Sequence, residues 1–173
     1  MKRFRLRHLP RWLGLITHLV AFPTAHAALP WALSLTAVRH GWIGGRPSIG
    51  NLLGLIPVAV GVYVLFWSIR VHFTAAPNGW DLERTPHYPT PSYLLTNGPY
   101  RYSRNPLYLA ELAVWLGWIV FYGSLVVLGV LAVAVLWLVP VIMRHEERGL
   151  EARFGEAYRE YKRITPRWFG RAT

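Results

Sequence analysis

One stretch constrains the fold more than any other. From Pro106 to Met143 the chain is almost wholly apolar, with Glu111 its single charge. As one helix it would be ~57 Å long at ~1.5 Å per residue. The hydrocarbon core of a bilayer is only ~30 Å thick. The run must therefore fold back, and the plausible turn is Tyr122-Gly123-Ser124. The expectation is a tight hairpin of two spanning helices. Pro140 is expected to kink the second of them near its far end.

The rest of the apolar residues also come in blocks rather than being spread as in a soluble core. Trp12 to Phe22 is apolar and continues through Leu29, Trp31, Leu33, Leu35 and Val38, long enough for a span kinked at Pro23 or Pro30. Ala25-His26-Ala27 has the small-x-small form of a signal-peptidase site, so a cleaved leader is the competing reading of this block. His18 and His26 read as helix-face or interfacial histidines. A second block runs from Ile49 to about Ile69 and ends at Arg70, with Pro57 inside it. Gly54 and Gly61 within it permit close helix packing, although their spacing is not that of GxxxG.

Four spans result, and charge orients them. The segments on the amino-terminal side hold five, four and eight Lys and Arg residues (Met1–Arg11, Arg70–Asn105 and Arg144–Thr173), against Arg39 and Arg46 on the other. The positive-inside rule then puts both termini and the long loop in the cytosol, at the inner membrane if the source is bacterial. The formal charge of +11 fits anionic lipid headgroups rather than nucleic acid, because the basic residues sit beside apolar blocks. There is no cysteine, which excludes disulfides, thiolate catalysis and cysteine metal sites.

The one long polar segment, His72 to Asn105, carries five prolines and the aromatics Trp80, Tyr88, Tyr93, Tyr100 and Tyr102. Its length suggests function or disorder, and its aromatics argue against disorder. It reads as a lid or floor over a site. It ends in Asn97-Gly98-Pro99-Tyr100-Arg101-Tyr102-Ser103-Arg104-Asn105-Pro106-Leu107-Tyr108. Asn105 precedes a proline and is biased to extended geometry; Pro106 suits a first helical turn. Arg104 and Asn105 thus stand where a loop enters a helix, where free amides and the helix dipole favour an anionic group. An interfacial anchor of Tyr and Arg at headgroup level is the plain alternative.

Two groups of carboxylates stand out. Glu111 lies about one and a half turns inside its helix, on one face with Tyr108 and Trp115; an intramembrane carboxylate is usually functional unless it is shallow enough to reach the headgroups. Glu146-Glu147 follows the last span directly, in a charged helix from Arg144 to Tyr161 whose Leu150, Phe154, Tyr158 and Tyr161 form an apolar face. Glu147 and Glu151 can simply solvate that helix. One carboxylate turned back into the bundle would suit an ammonium or a sulfonium. No nucleotide-binding glycine motif, zinc-protease motif or serine-hydrolase motif is present, and the histidines lack metal-ligand spacing.

The segment Gly98 to Tyr108, a hairpin, and then Glu146-Glu147-x-x-Leu150-x-x-x-Phe154-Gly155-x-x-Tyr158-x-x-Tyr161 together resemble the isoprenylcysteine carboxyl methyltransferase and phospholipid methyltransferase superfamily. The resemblance covers about Ser92 to Phe169. It implies an all-α, multi-pass transmembrane bundle of four spans, the last two a tight hairpin, with a C-terminal amphipathic cytosolic helix. Residues 1–91 supply the first spans and the loop of a single integral membrane domain. Residues 92–169 supply the cofactor-binding loop, the hairpin and the last helix. The implied activity is transfer of a methyl group from S-adenosylmethionine to a lipophilic acceptor, an isoprenylcysteine-like carboxylate or a phospholipid amine, with membrane lipids as surroundings and no nucleic acid partner.

The resemblance also assigns residues. The family's loop tyrosine falls on Tyr100, and its Arg-His-Pro-x-Tyr motif on Arg104-Asn105-Pro106-Leu107-Tyr108. Leu94 and Leu95 would line the same cofactor pocket, and the cofactor-binding glutamate falls on Glu146, with Glu147 beside it. Asn105 stands where His is usual, so a hydrogen-bonding role survives there but an imidazole role does not. The arginine that faces the acceptor would align near Ile142, with Arg144 its nearest substitute; Arg144 and Glu111 are assigned to the acceptor side. Two other readings share parts of the pattern. One is an NADPH-dependent sterol-reductase-like enzyme, in which Glu111 would follow the same motif. The other is a non-catalytic membrane module that keeps the fold.

Overall fold

The computed structural model describes residues 20–75, 82–84 and 89–169, with residues 82–84 and 89–90 described by backbone alone. The basic amino-terminal segment, the start of the first apolar block with His18, and Trp80 and Tyr88 lie outside the described residues. The protein is mostly helical. A π-helical turn, Thr24–Ala28, leads into α1 (Leu29–Ser34). Two short strands, β1 (Trp42–Ile43) and β2 (Arg46–Pro47), precede α2 (Ile49–Leu52) and α3 (Leu55–Ala75). The polar segment holds β3 (Leu82–Arg84), β4 (Pro89–Pro91) and a 3-10 turn, Gly98–Arg101. Then come α4 (Pro106–Tyr122), α5 (Leu125–Val133), a second π turn (Ala134–Leu138), α6 (Val139–Phe154) and α7 (Glu156–Ile164).

Among the described residues, two helical stretches are long and apolar enough to cross a membrane, Ile49–Ala75 and Leu125–Phe154, and Pro106–Tyr122 is a shorter apolar helix. The two antiparallel ribbons, β1–β2 and β3–β4, are additions to the helical expectation.

The chain divides into two compact units, Thr17–Phe66 with Leu107–Trp137, and Trp67–Pro106 with Leu138–Thr173. In the first, α3 and α4 meet backbone to backbone. A Cβ on Gly61 would lie 2.6 Å from the Ala110 carbonyl, and one on Gly117 2.5 Å from the Gly54 carbonyl. Gly54 and Gly61 are seven residues apart, as are Ala110 and Gly117, so each pair recurs after two turns on one face. The absence of side chains there lets the helices approach as GxxxG pairs do.

The chain reverses between α4 and α5 at Gly123-Ser124, where the hairpin argument requires it. Gly123 adopts φ +57° and Ser124 caps α5, its Oγ accepting from the Val127 amide at 3.4 Å. Helix ends leave orphan carbonyls, and the polar connection around β1 and β2 satisfies those of α4. Asn51 Nδ2 donates to Val120 O at 2.9 Å, and Trp42 Nε1 to Phe121 O at 2.9 Å. Arg39 lies over the rings of Trp42 and Tyr122.

Three features of the helices follow from local chemistry, and the last of them departs from expectation. Arg70 does not end α3, which runs five residues further to Ala75; polar residues at a helix end continue the backbone ladder once the chain leaves the apolar layer. Pro57 produces no break, because it lies in the first turn of α3, where its missing N–H has no partner to lose. The charged helix expected from Arg144 to Tyr161 is interrupted at Gly155, whose φ of +53° and ψ of −120° are foreign to a helix.

Pro30 and Pro140 each follow a π turn by two residues. The wider turn absorbs the clash that proline makes with the carbonyl four residues back. At Pro30 that carbonyl belongs to His26, and the Trp118 indole N–H donates to it.

Candidate functional site

The unit formed by Trp67–Pro106 and Leu138–Thr173 gathers most of the residues singled out above. Its scaffold is the end of α3, the β3–β4 ribbon beside α6, the loop from Ser92 to Asn105, α7 and the tail. Gly98, at φ +57°, admits the loop against α3: a Cβ there would lie 2.6 Å from Val71 Cγ2. Asn97 opens the 3-10 turn, its carbonyl accepting from the Tyr100 amide at 3.1 Å, and this turn carries Tyr100 into the interior.

Tyr100 is the centre of a buried polar chain. Its hydroxyl is 2.7 Å from His72 Nε2, and His72 Nδ1 is 3.0 Å from the Tyr93 hydroxyl. His72 is only 7% exposed, with both phenol rings edge-on to its own. From the other side, the Tyr161 hydroxyl donates to the Tyr100 carbonyl at 2.7 Å. Burial, followed by the neighbouring Tyr161 and Tyr93 and the Glu146 carboxylate, holds the Tyr100 phenol far above the usual tyrosine pKa. Glu146, half-buried on α6, is thus within electrostatic reach of Tyr100.

A second chain runs through Arg104. Its side chain is 6% exposed, and Nη1 pairs with Glu147 Oε1 at 3.2 Å. The same carboxylate receives Arg167 twice, Nε at 3.0 Å and Nη2 at 2.7 Å. That pairing raises the Arg167 pKa. Tyr158 lies near Arg104, and its pKa is pushed up to about 12 by burial first and then by Glu147, against the lowering effect of Arg104. Asn105 Nδ2 and Ser103 Oγ both donate to the Arg167 carbonyl at 3.0 Å.

The structure therefore brings Tyr100, Arg104, Asn105, Glu146 and Glu147 into one unit with half-buried Leu94 and Leu95 and buried Pro106. Arg144, one turn before Arg148 on α6, is exposed. Leu107, Tyr108 and Glu111, all half-buried on α4, belong to the other unit. There Glu111 Oε1 lies 3.8 Å from His26 Nε2, which makes His26 a polar neighbour of that carboxylate.

Sequence reasoning missed His72, Arg167 and His26 as site residues. A histidine just past the end of an apolar block was the available signal for His72; for Arg167, one of several basic residues in the tail, its place beside Pro166 was the signal. His26 is a titratable residue within an apolar block, which was the signal there. Among the described residues no group of three or more His, Asp or Glu side chains could hold a metal ion.

Residues 49–157, more than half of the chain, match the phospholipid methyltransferase family. The chain belongs to that family. Membrane methyl transfer is the activity the family implies. The matched span includes the Tyr100–Tyr108 motif, the hairpin and Glu146-Glu147. The chain is also similar to the cobalt-zinc-cadmium resistance protein CzcN of Cupriavidus metallidurans, with 42% identity over 78 residues; the match covers 45% of this chain and 36% of that protein. No solved structure matches.

Proposed function

We propose that this chain is an integral membrane methyltransferase that uses S-adenosylmethionine and methylates a lipophilic acceptor. The acceptor is an isoprenylcysteine-like carboxylate or a phospholipid amine. The observation that carries the reading is the family match, which runs unbroken across the loop motif and the paired glutamates.

The donor set fits the cofactor. A sulfonium and an ammonium call for a carboxylate in a part-buried site, and Glu146 is one, within electrostatic reach of Tyr100. Arg104 Nε is buried without a hydrogen-bond partner in the protein, which leaves a donor for an anionic or carbonyl group. When bound, S-adenosylmethionine supplies an electrophilic methyl group on its sulfonium. The residues that would hold it, by the family resemblance, are Leu94, Leu95, Tyr100, Arg104, Asn105, Pro106, Leu107, Tyr108, Glu146 and Glu147. Arg144 and Glu111 serve the acceptor. Their task is alignment: an in-line displacement gains most of its rate from fixed geometry, and a nucleophilic acceptor needs no dedicated base.

Four spans with both termini in the cytosol accompany this reading, with the C-terminal helix at the membrane surface. Such a topology lets a polar cofactor reach the loop from water and a lipid reach the helices from the bilayer. The test is transfer of label from methyl-tritiated S-adenosylmethionine into the organic-soluble fraction of membranes containing the protein. The expected result is protein-dependent labelling that falls at least tenfold in Glu146→Gln while the variant stays folded. Labelling equal in Glu146→Gln would remove that carboxylate from the site.

A further inference from the structure

Arg167 belongs to none of the motifs that carry the family resemblance, yet it ties the tail to both halves of the site at once. Its guanidinium grips Glu147 on α6 through two hydrogen bonds, at 3.0 and 2.7 Å. Its carbonyl receives Ser103 Oγ and Asn105 Nδ2, the side chains on either side of Arg104. One residue earlier, the Pro166 carbonyl accepts the Arg104 amide at 2.9 Å. Thr165 and Pro166 are buried beneath this arrangement. A tail merely lying on a surface would not use side chain and backbone in opposite directions on partners 20 and 62 residues away.

We propose that Arg167 is a positioning residue: it clasps the Ser103–Asn105 loop to α6 and so holds that loop in its cofactor-binding form. Glu147, besides its place in the cofactor site, anchors both Arg104 and Arg167. The proposal rests on the reading of this loop as the cofactor site. It also accounts for Asn105, which as the residue before Pro106 supplies the amide donor that the tail carbonyl accepts. The clasp has a buried half and an exposed half. Arg104 is 6% exposed in its side chain and Arg167 is 50% exposed, with Glu147 between them at 18%. Salt screens the exposed half far more than the buried one.

The full-length protein in detergent permits the test, with Arg167→Ala and Arg167→Lys compared against the wild type. Arg167 is half exposed, so neither change opens a core cavity. Two quantities are read: hydrogen exchange over residues 97–106 without cofactor, and the dissociation constant for tritiated S-adenosylmethionine at low and high salt. The clasp predicts faster exchange of that segment in Arg167→Ala. It predicts affinity weakened about fivefold, the effect of losing an ion pair of this exposure. Arg167→Lys recovers part of both, since it keeps the charge but loses the two-pronged fork. Wild-type affinity falls with salt more steeply than that of Arg167→Ala.

Unchanged exchange in Arg167→Ala overturns the clasp. So does weakened affinity that Arg167→Lys does not improve, or a salt response identical in wild type and Arg167→Ala. If the wild type binds no S-adenosylmethionine at all, the cofactor reading fails, and the exchange result alone then decides whether the clasp orders the loop.

Discussion

His72 shows how much a single residue of this site carries. It gives each ring nitrogen to a different phenol, so both Tyr93 and Tyr100 depend on it. His72→Ala is expected to destabilise the protein by about 1–3 kcal/mol, the cost of taking its partner from the buried Tyr100 hydroxyl, read as a lower unfolding midpoint in detergent. A midpoint equal to wild type would mean the phenols find other partners. The phenols also set an alkaline limit. Tyr158 sits at about 12, against about 10 in an unfolded chain. The folded state thus holds a proton the unfolded state loses, and stability falls as pH rises from about 10 to about 12. Tyr158→Phe should flatten that decline in a pH series of unfolding midpoints. At this scale the sequence was half legible. Tyr100 stands in a motif dense in turn-forming and aromatic residues. His72 lies 28 residues away, beyond the apolar block, and only the continuation of α3 through Arg70 to Ala75 brings it back.

Among the elements, the α3–α4 crossing is set by what its residues lack. Gly61→Ala would put a methyl group 2.6 Å from a backbone carbonyl, and overpacking of this kind costs about 1–3 kcal/mol. Gly129, on α5, faces open space. Gly129→Ala should leave stability unchanged or raise it by up to about 1 kcal/mol through helix propensity. Unfolding of the two variants side by side checks the contrast; equal midpoints would contradict close contact at Gly61. The hairpin turn was legible, because length against bilayer thickness left one place for it. The seven-residue glycine spacing was visible but undecidable, since it acquires meaning only when a partner helix presents Ala110 and Gly117 at the same interval. The π turns before Pro30 and Pro140 could not be read at all: proline announces a disturbance, while its form depends on what satisfies the freed carbonyl, as Trp118 does for His26.

For the whole molecule, the proposed orientation rests on where the 19 Lys and Arg fall, since Arg39 and Arg46 are the two assigned to the far side. The chain has no cysteine, so single-cysteine labelling has no background. With both termini in the cytosol, a membrane-impermeant thiol reagent added to intact cells should label Arg46→Cys and spare Ala157→Cys; the opposite pattern would invert the proposed orientation. Family and membrane character follow from the matched span and the apolar helices together, whereas the acceptor is written in neither.

The account turns on what the Tyr100–Glu146 region binds, and equilibrium binding to the detergent-purified protein tests it most directly, with S-adenosylmethionine and NADPH measured in parallel. The account predicts saturable S-adenosylmethionine binding, weakened in Glu146→Gln, and no saturable NADPH binding. Saturable binding of NADPH alone, or of neither compound, would contradict it.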